Sequence, residues 1–107
     1  MHQHSTTIRI LKLANRWFPE IESTLRANGI PDDFKYLAVA ESGLENVTSP
    51  SDAKGFWQFL PATARSYGLE VNAEVDERLH LEKSTQAACQ YLQGAFNKFG
   101  NWTIAAA

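Results

Sequence analysis

The chain has 107 residues, of which 44% are hydrophobic and 21% charged, and its formal net charge is −2. These values are typical of one globular domain and exclude a disordered or collagen-like chain. Binding to a phosphate backbone calls for an excess of Lys and Arg that this sequence lacks, so we expect no nucleic-acid partner.

Two amphipathic helices are predicted in the first part of the chain. Apolar side chains recur at helical spacing over residues 10–18, with basic residues off that stripe, and Ser5 or Thr6 is available as an N-cap. Pro19 suits the first turn of a second, shorter helix, which Gly29 would end.

A third helix is predicted from Asp32 onward. Its first turn holds two acidic residues, where the helix dipole favours negative charge. Phe34, Leu37, Ala38 and Glu41 then follow at i, i+3, i+4 and i+7, and the side chains between them leave little polar surface opposite. The pattern indicates a helix buried on most sides, whose apolar face ends in a carboxylate.

The rest of the chain alternates between loops and helices. Residues 43–55 are rich in Gly, Asn, Ser, Pro and Asp, which predicts a loop. Pro61 begins a short helix, residues 71–79 form turns or a short helical piece, and residues 81–99 form a long helix that Gly100 ends. A further helix begins in the last few residues. No segment alternates with the period of a strand, so the predicted class is all-α.

Compartment signals in the sequence are few. Cys89 is the single cysteine, so an internal disulfide is excluded, and its apolar helical setting predicts a small buried side chain. No apolar run approaches the length of a membrane span, and the N-terminus does not resemble a signal peptide. If the protein is exported, we expect its signal to lie outside this sequence.

Glu41 has surroundings that suit acid catalysis. Glycoside cleavage needs an acid to protonate the leaving oxygen, and a carboxyl keeps that proton only where its environment disfavours the charged form. Leu37 and Ala38 lie one turn before Glu41, and the carbonyl dipoles at the helix C-terminus act in the same direction. We therefore expect a buried Glu41. The alternative is a solvated glutamate at a frayed helix end.

Two linked motifs surround this glutamate. The first is Glu41-Ser42-Gly43, followed by a polar loop that contains Ser49-Pro50, and the second is Gly-Phe-Trp-Gln-Phe-Leu-Pro-Ala-Thr-Ala at residues 55–64. Together they resemble the signature of the soluble lytic transglycosylases and their membrane-bound relatives. That pattern is Glu-Ser, a short loop, Gly, an apolar residue, Met or Trp, Gln, two apolar residues, Pro, any residue, Thr and Ala. The resemblance extends over roughly residues 19 to 107.

The resemblance implies an all-α, lysozyme-like catalytic domain over residues 1–107. Its implied activity is cleavage of the β-1,4 bond between N-acetylmuramic acid and N-acetylglucosamine in peptidoglycan, which leaves a 1,6-anhydro-muramyl end. Glu41 would act as the general acid and then as the base. The implied location is the bacterial cell envelope, either periplasmic or associated with the outer membrane. We expect a monomer that needs no metal or cofactor, with peptidoglycan glycan strands as its partner.

The same resemblance implies substrate-binding roles for Ser42, Ser49, Gly55, Gln58 and Leu60. Ser42 would shape the catalytic turn, and Ser49 would form a hydrogen bond near the substrate. Gly55 would let the backbone approach the groove, and Leu60 occupies a position where relatives often carry Met. Gln58 would contact substrate or support the catalytic glutamate, and a hydrogen bond within the loop is an equal alternative.

A second catalytic carboxylate is not expected. Glu45 and Asp52 are the nearest acids in sequence, but neither matches a catalytic position of the family, and both are typical of solvated loop charges. One carboxylate would suffice if the acetamido group of the substrate stabilises the developing cation. Trp57 is expected to pack under the groove rather than to stack on a sugar.

The last residues depart from the family pattern. In relatives, Trp-x-x-Ala-x-Ala-Ala is followed by Tyr-Asn-x-Gly, whereas this sequence ends at Ala107. We therefore expect a domain truncated at its C-terminus, without the C-terminal helices and with weak or no lytic activity. Two alternatives are a hydrolysing muramidase on the same scaffold and a peptidoglycan-binding fragment with impaired catalysis.

Overall fold

The computed structural model describes the backbone of residues 2–102 and the side chains of residues 6–102. Its elements, in chain order, are α1 (His2–Ala27), a 3₁₀-helix (Asp32–Phe34), α2 (Lys35–Ser42), α3 (Pro61–Ser66), a second 3₁₀-helix (Glu77–Leu79) and α4 (Leu81–Phe99). Helices dominate and no extended strand occurs over residues 2–102, which confirms the all-α prediction. In the same range no helix combines the length and apolar character that a bilayer crossing requires.

The helix break predicted at Pro19 is wrong. α1 runs without interruption, with Pro19 in its interior, where a proline removes one hydrogen bond and costs about 3 kcal/mol. Trp17, Ile21 and Leu25 keep a spacing of four residues across the proline, and Ile21 and Leu25 are fully buried. Burial of each such side chain contributes about 1.5–3 kcal/mol, so the continuous apolar stripe outweighs the proline.

Two smaller expectations are also wrong. Ser5 and Thr6 lie inside α1, so neither is its N-cap. The helix α2 was expected to be buried on most sides, but its Tyr36 is 57% exposed. The Tyr36 ring packs edge-to-face on Phe18, with the ring centroids 5.6 Å apart, and its other side is in solvent. α2 is therefore amphipathic, and Ala38 marks its buried face.

α4 supplies the other half of the core, where it packs against α1. At its start, the backbone N–H of Lys83 donates to His80 Nδ1 over 3.2 Å. At its end, Gly100 adopts a left-handed φ of 78° and its N–H donates to the Phe96 carbonyl over 2.7 Å, which confirms the predicted stop. The buried side chains of α4 are Ser84, Thr85, Ala87, Ala88, Cys89 and Leu92.

Cys89 is a packing residue, as predicted. It is 2% exposed, and its Sγ lies 4.0 Å from the Thr24 carbonyl oxygen on α1. Burial raises the pKa of the Cys89 thiol to about 11, so the side chain stays protonated and unreactive at neutral pH.

The segment between α2 and α3 is a loop that folds back on itself. Backbone N–H groups donate from Gly55 to the Val47 carbonyl over 3.1 Å and from Lys54 to the Phe59 carbonyl over 3.1 Å. These bonds fix the conformation of the segment that the sequence predicted to be an irregular loop. They also return the second motif towards the end of α2, where the first motif lies.

Candidate active site

A cavity of about 310 Å³ lies where the end of α2, the 43–60 loop, α3 and α4 meet. Its lining residues are Leu37, Glu41, Trp57, Gln58, Phe59, Leu60, Thr63, Ala88, Tyr91 and Leu92. Most of this surface is apolar. Gln58, Thr63 and Tyr91 supply neutral polar groups, and Glu41 supplies the one charge among the lining residues.

Glu41 is held in the last turn of α2. Ala38, one turn earlier, is buried in the core, and the N–H of Gly43 donates to the Val39 carbonyl over 2.8 Å with Gly43 in the left-handed region. The Glu41 side chain itself is exposed, so the burial expected from the sequence is wrong. Because the helix ends here, Glu41 lines the cavity and stays in contact with solvent.

Ser42 fixes the turn that follows the glutamate. Its Oγ donates to the Ala38 carbonyl over 2.9 Å and accepts the Leu44 N–H over 3.1 Å. Leu44 has a φ of 62°, which is unusual for a residue other than glycine. Its side chain is buried, with 1% of the residue exposed. These bonds agree with a turn-shaping role for Ser42. Contact between Ser42 and substrate stays a prediction.

Gln58 lines the same cavity as the glutamate. Its Nε2 donates to the Val47 and Gly55 carbonyls, both over 2.9 Å, so the loop hydrogen bond considered as an alternative is present. Its φ of 53° is left-handed, which costs roughly 1–3 kcal/mol and persists only where the surroundings fix it. Gln58 therefore both braces the loop and lines the cavity.

The other three predicted residues differ in position. Leu60 is 46% exposed and lines the cavity. Ser49 lies outside the lining, and its Oγ accepts the Ala53 N–H over 3.0 Å. Gly55 is also outside the lining, and a Cβ there would lie 2.1 Å from the Arg78 carbonyl oxygen. The substrate roles of these residues stay predictions.

Sequence reasoning missed the wall that α4 contributes. Ala88, Tyr91 and Leu92 lie at i, i+3 and i+4 and so share one face of that helix. Their spacing was visible, but which helix face would meet α2 depends on tertiary packing. Trp57 is buried, as predicted: it is 7% exposed, and its Nε1 donates to Thr85 Oγ1 over 2.9 Å. It also lines the cavity, so its packing in place of stacking on a sugar stays a prediction.

Comparison with known proteins shows which family this sequence belongs to. The sequence profile of the Transglycosylase SLT domain matches residues 19–107. The chain belongs to this family. Two relatives, both named membrane-bound lytic murein transglycosylase D, come from Escherichia coli K12 and Escherichia coli O6:H1 and are 30% identical over 106 residues. Each alignment covers 97% of this chain and 23% of the relative, so this SLT domain spans less than a quarter of their length.

In this SLT domain the two acids nearest to Glu41 in sequence, Glu45 and Asp52, are outside the cavity lining. Glu45 pairs with Arg9 on α1. The Asp52 carboxylate lies 3.8 Å from Arg78 Nη2 and 4.0 Å from Lys54 Nζ. Neither acid lines the cavity, so among the described residues Glu41 is the carboxylate that can act there.

Arg78 is a buried charge beneath the SLT-domain loop, and nothing in its local sequence predicted this. It is 2% exposed, and its Nε and Nη2 donate to the two Asp76 carboxylate oxygens over 2.9 and 2.7 Å. Its Nη1 donates to the Asp52 and Phe59 carbonyls over 2.7 and 3.1 Å. Such complete pairing offsets the cost of removing a guanidinium from water.

We expect acid to destabilise this domain through Asp76. The Arg78 guanidinium lowers the pKa of Asp76 below its ordinary value of 3.8. A lowered pKa contributes stability that is present above 3.8 and is lost as the pH falls through the lower, folded-state value. Urea unfolding at decreasing pH should therefore show a declining free energy of unfolding. Asp76→Asn should be less stable at neutral pH and show a flatter decline, whereas an unchanged slope would contradict this assignment.

Proposed function

We propose that this chain is the catalytic domain of a peptidoglycan lytic transglycosylase in the bacterial cell envelope. The bond cleaved is the β-1,4 link from N-acetylmuramic acid to N-acetylglucosamine, and the product carries a 1,6-anhydro-muramyl end. Membership of the SLT family supports the general activity. The relatives are named as lytic murein transglycosylases, which supports peptidoglycan as the substrate.

One observation carries the proposal furthest: among its lining residues the cavity has a single carboxylate, Glu41, and Gln58 lines the same cavity. Glycosidases that use two carboxylates place both beside the scissile bond, about 5–10 Å apart. Here Glu45 and Asp52 are paired with basic residues and do not line the cavity. A mechanism that needs one carboxylate fits this arrangement.

In the first step, Glu41 in its protonated form donates its proton to the glycosidic oxygen, and the bond from that oxygen to the muramyl C1 breaks. The electron pair of the bond leaves with the oxygen. The acetamido oxygen of the same sugar then stabilises the positive charge at C1. The neutral, apolar part of the lining formed by Leu37, Ala88 and Leu92 suits the uncharged faces of sugar rings.

In the second step, the Glu41 carboxylate takes the proton of the muramyl 6-hydroxyl while the oxygen of that hydroxyl bonds to C1. The acetamido oxygen is released, Glu41 regains its proton, and no water is consumed. General acid and base catalysis by one positioned group typically contributes about 10²–10⁴-fold in rate.

The exposure of Glu41 favours one competing activity, since solvent reaches the carboxyl and water could attack C1 in place of the hydroxyl. Digestion of purified peptidoglycan followed by mass analysis of the soluble muropeptides separates the two reactions. We expect anhydro products, each lighter by one water than the corresponding hydrolysis product. Products with ordinary reducing ends would assign hydrolysis instead. Binding to peptidoglycan without any release would identify a non-catalytic glycan-binding domain.

A further inference from the structure

We propose that Arg78 is a positioning residue that holds Gln58 in place on the cavity wall. This inference rests on the proposed function, because it assigns Arg78 to the same site. Arg78 does not line the cavity, and the backbone that its guanidinium binds belongs to the loop that contains Gln58, so we expect it to act on the reaction through that loop.

The guanidinium joins the two ends of the turn that contains Gln58. Its Nη1 donates to the carbonyl of Asp52 over 2.7 Å and to that of Phe59 over 3.1 Å, on either side of residues 53–58. Asp76 accepts hydrogen bonds from the opposite edge of the guanidinium through both carboxylate oxygens. The charged group is therefore fixed from one side and binds the loop with the other.

The backbone around Arg78 closes the contact. Gly55 lies so near the Arg78 carbonyl that a Cβ at Gly55 would be 2.1 Å from that oxygen. Asn46 Nδ2 donates to the Leu79 carbonyl over 3.2 Å, which ties the start of the loop to the same segment. Residues 76–79 thus form a support on which the loop packs.

The link to Gln58 runs through its immediate neighbours. Phe59, whose carbonyl Arg78 binds, follows Gln58 in the chain, and Gly55 accepts hydrogen bonds from the Gln58 N–H over 3.2 Å and from Gln58 Nε2 over 2.9 Å. A shift of either neighbour would move the amide relative to Glu41. A displacement of about 1 Å in a positioned group can cost on the order of 100-fold in rate.

Lysine cannot replace arginine in this contact. The planar guanidinium presents donors in fixed directions, so it can bind a carboxylate through two atoms and two carbonyls at the same time. A lysine ammonium would keep the positive charge near Asp76 but could not hold all of these acceptors. Arg78→Lys therefore loosens the loop while retaining the buried charge.

The first measurement is amide hydrogen exchange. In Arg78→Lys we expect the N–H groups of Gly55 and Gln58 to exchange at least about 10-fold faster than in the wild type, with the core amides of α4 less affected. Arg65→Lys is the matched control, because Arg65 Nε also donates to a backbone carbonyl, that of Val71, over 2.9 Å on the surface. Unchanged protection of Gly55 and Gln58 in Arg78→Lys would overturn the proposal.

The second measurement is a double-mutant cycle of lytic rates, taken well below the melting temperature of every variant. If Arg78 acts through Gln58, Arg78→Lys should lower kcat about 10-fold or more in the wild type and much less in a Gln58→Ala background. A purely structural role would lower the melting temperature and leave kcat unchanged. An equal loss in both backgrounds, or an unchanged kcat, would refute the positioning role.

Two provisions keep the outcome decisive. If Arg78→Lys does not fold, Asp76→Asn takes its place, because it releases the guanidinium with little change of shape. If the wild type shows no lytic activity, the proposed catalytic function fails for this chain, and the alternative of a peptidoglycan-binding fragment with impaired catalysis is favoured. The exchange measurement then still decides whether Arg78 holds the loop.

Discussion

Glu41→Gln is expected to reduce muropeptide release by about 10²–10⁴-fold and to leave the fold intact. The amide keeps the shape of the carboxyl but has no proton to donate to the glycosidic oxygen. Because Glu41 is exposed and lines the cavity, the substitution removes no buried contact, so the melting temperature should change little.

Glu20→Gln is the matched control for this experiment. Glu20 is an exposed glutamate on α1 outside the cavity lining, so its substitution makes the same change of charge away from the site. Release from peptidoglycan and thermal unfolding should be measured together for both variants. Retained lysis by Glu41→Gln would remove the central assignment of this residue.

Gly55→Ala is expected to lower the free energy of unfolding by about 3–5 kcal/mol. Two effects add at this residue. Its φ of 84° is one that a side chain rarely adopts, and the new methyl group would lie 2.1 Å from the Arg78 carbonyl oxygen. That oxygen belongs to backbone that packs beneath the loop, so it cannot move without disturbing the Arg78 contacts.

Gly68→Ala separates the two effects. Gly68 has nearly the same φ, 86°, but a Cβ there would meet nothing within 4 Å. It should therefore cost only the backbone strain, about 1–2 kcal/mol. Denaturant unfolding of both variants measures the difference. Equal losses would show that the contact between Gly55 and Arg78 has no energetic weight.

Local patterns predicted the helices where local chemistry decides them. Gly100 ends α4 because it reaches the left-handed region without strain, and Pro61 begins α3 because its missing N–H costs nothing in a first turn. Pro19 does not end α1, although its local chemistry predicted a break there, because the burial of Ile21 and Leu25 outweighs its local cost. That burial depends on α4, a partner more than fifty residues away in the chain.

The candidate site was predictable only in part for the same reason. Glu41 and Gln58 were found through a motif, and the folded loop brings both onto one cavity. Tyr91 and Arg78 were missed because their roles arise from contacts with distant segments. The exposure of Glu41 was missed because apolar neighbours along a helix do not reveal what covers the helix end.

The most direct test of the central claim is a crystal structure of Glu41→Gln with a bound oligosaccharide of alternating N-acetylglucosamine and N-acetylmuramic acid. We expect a glycosidic oxygen to lie about 3 Å from the substituted side chain, with the adjoining muramyl ring between it and Gln58. Such a complex would place the scissile bond in the cavity described above. A glycan bound elsewhere on the domain, with no glycosidic oxygen within hydrogen-bonding distance of residue 41, would contradict the assignment of Glu41 as the catalytic acid.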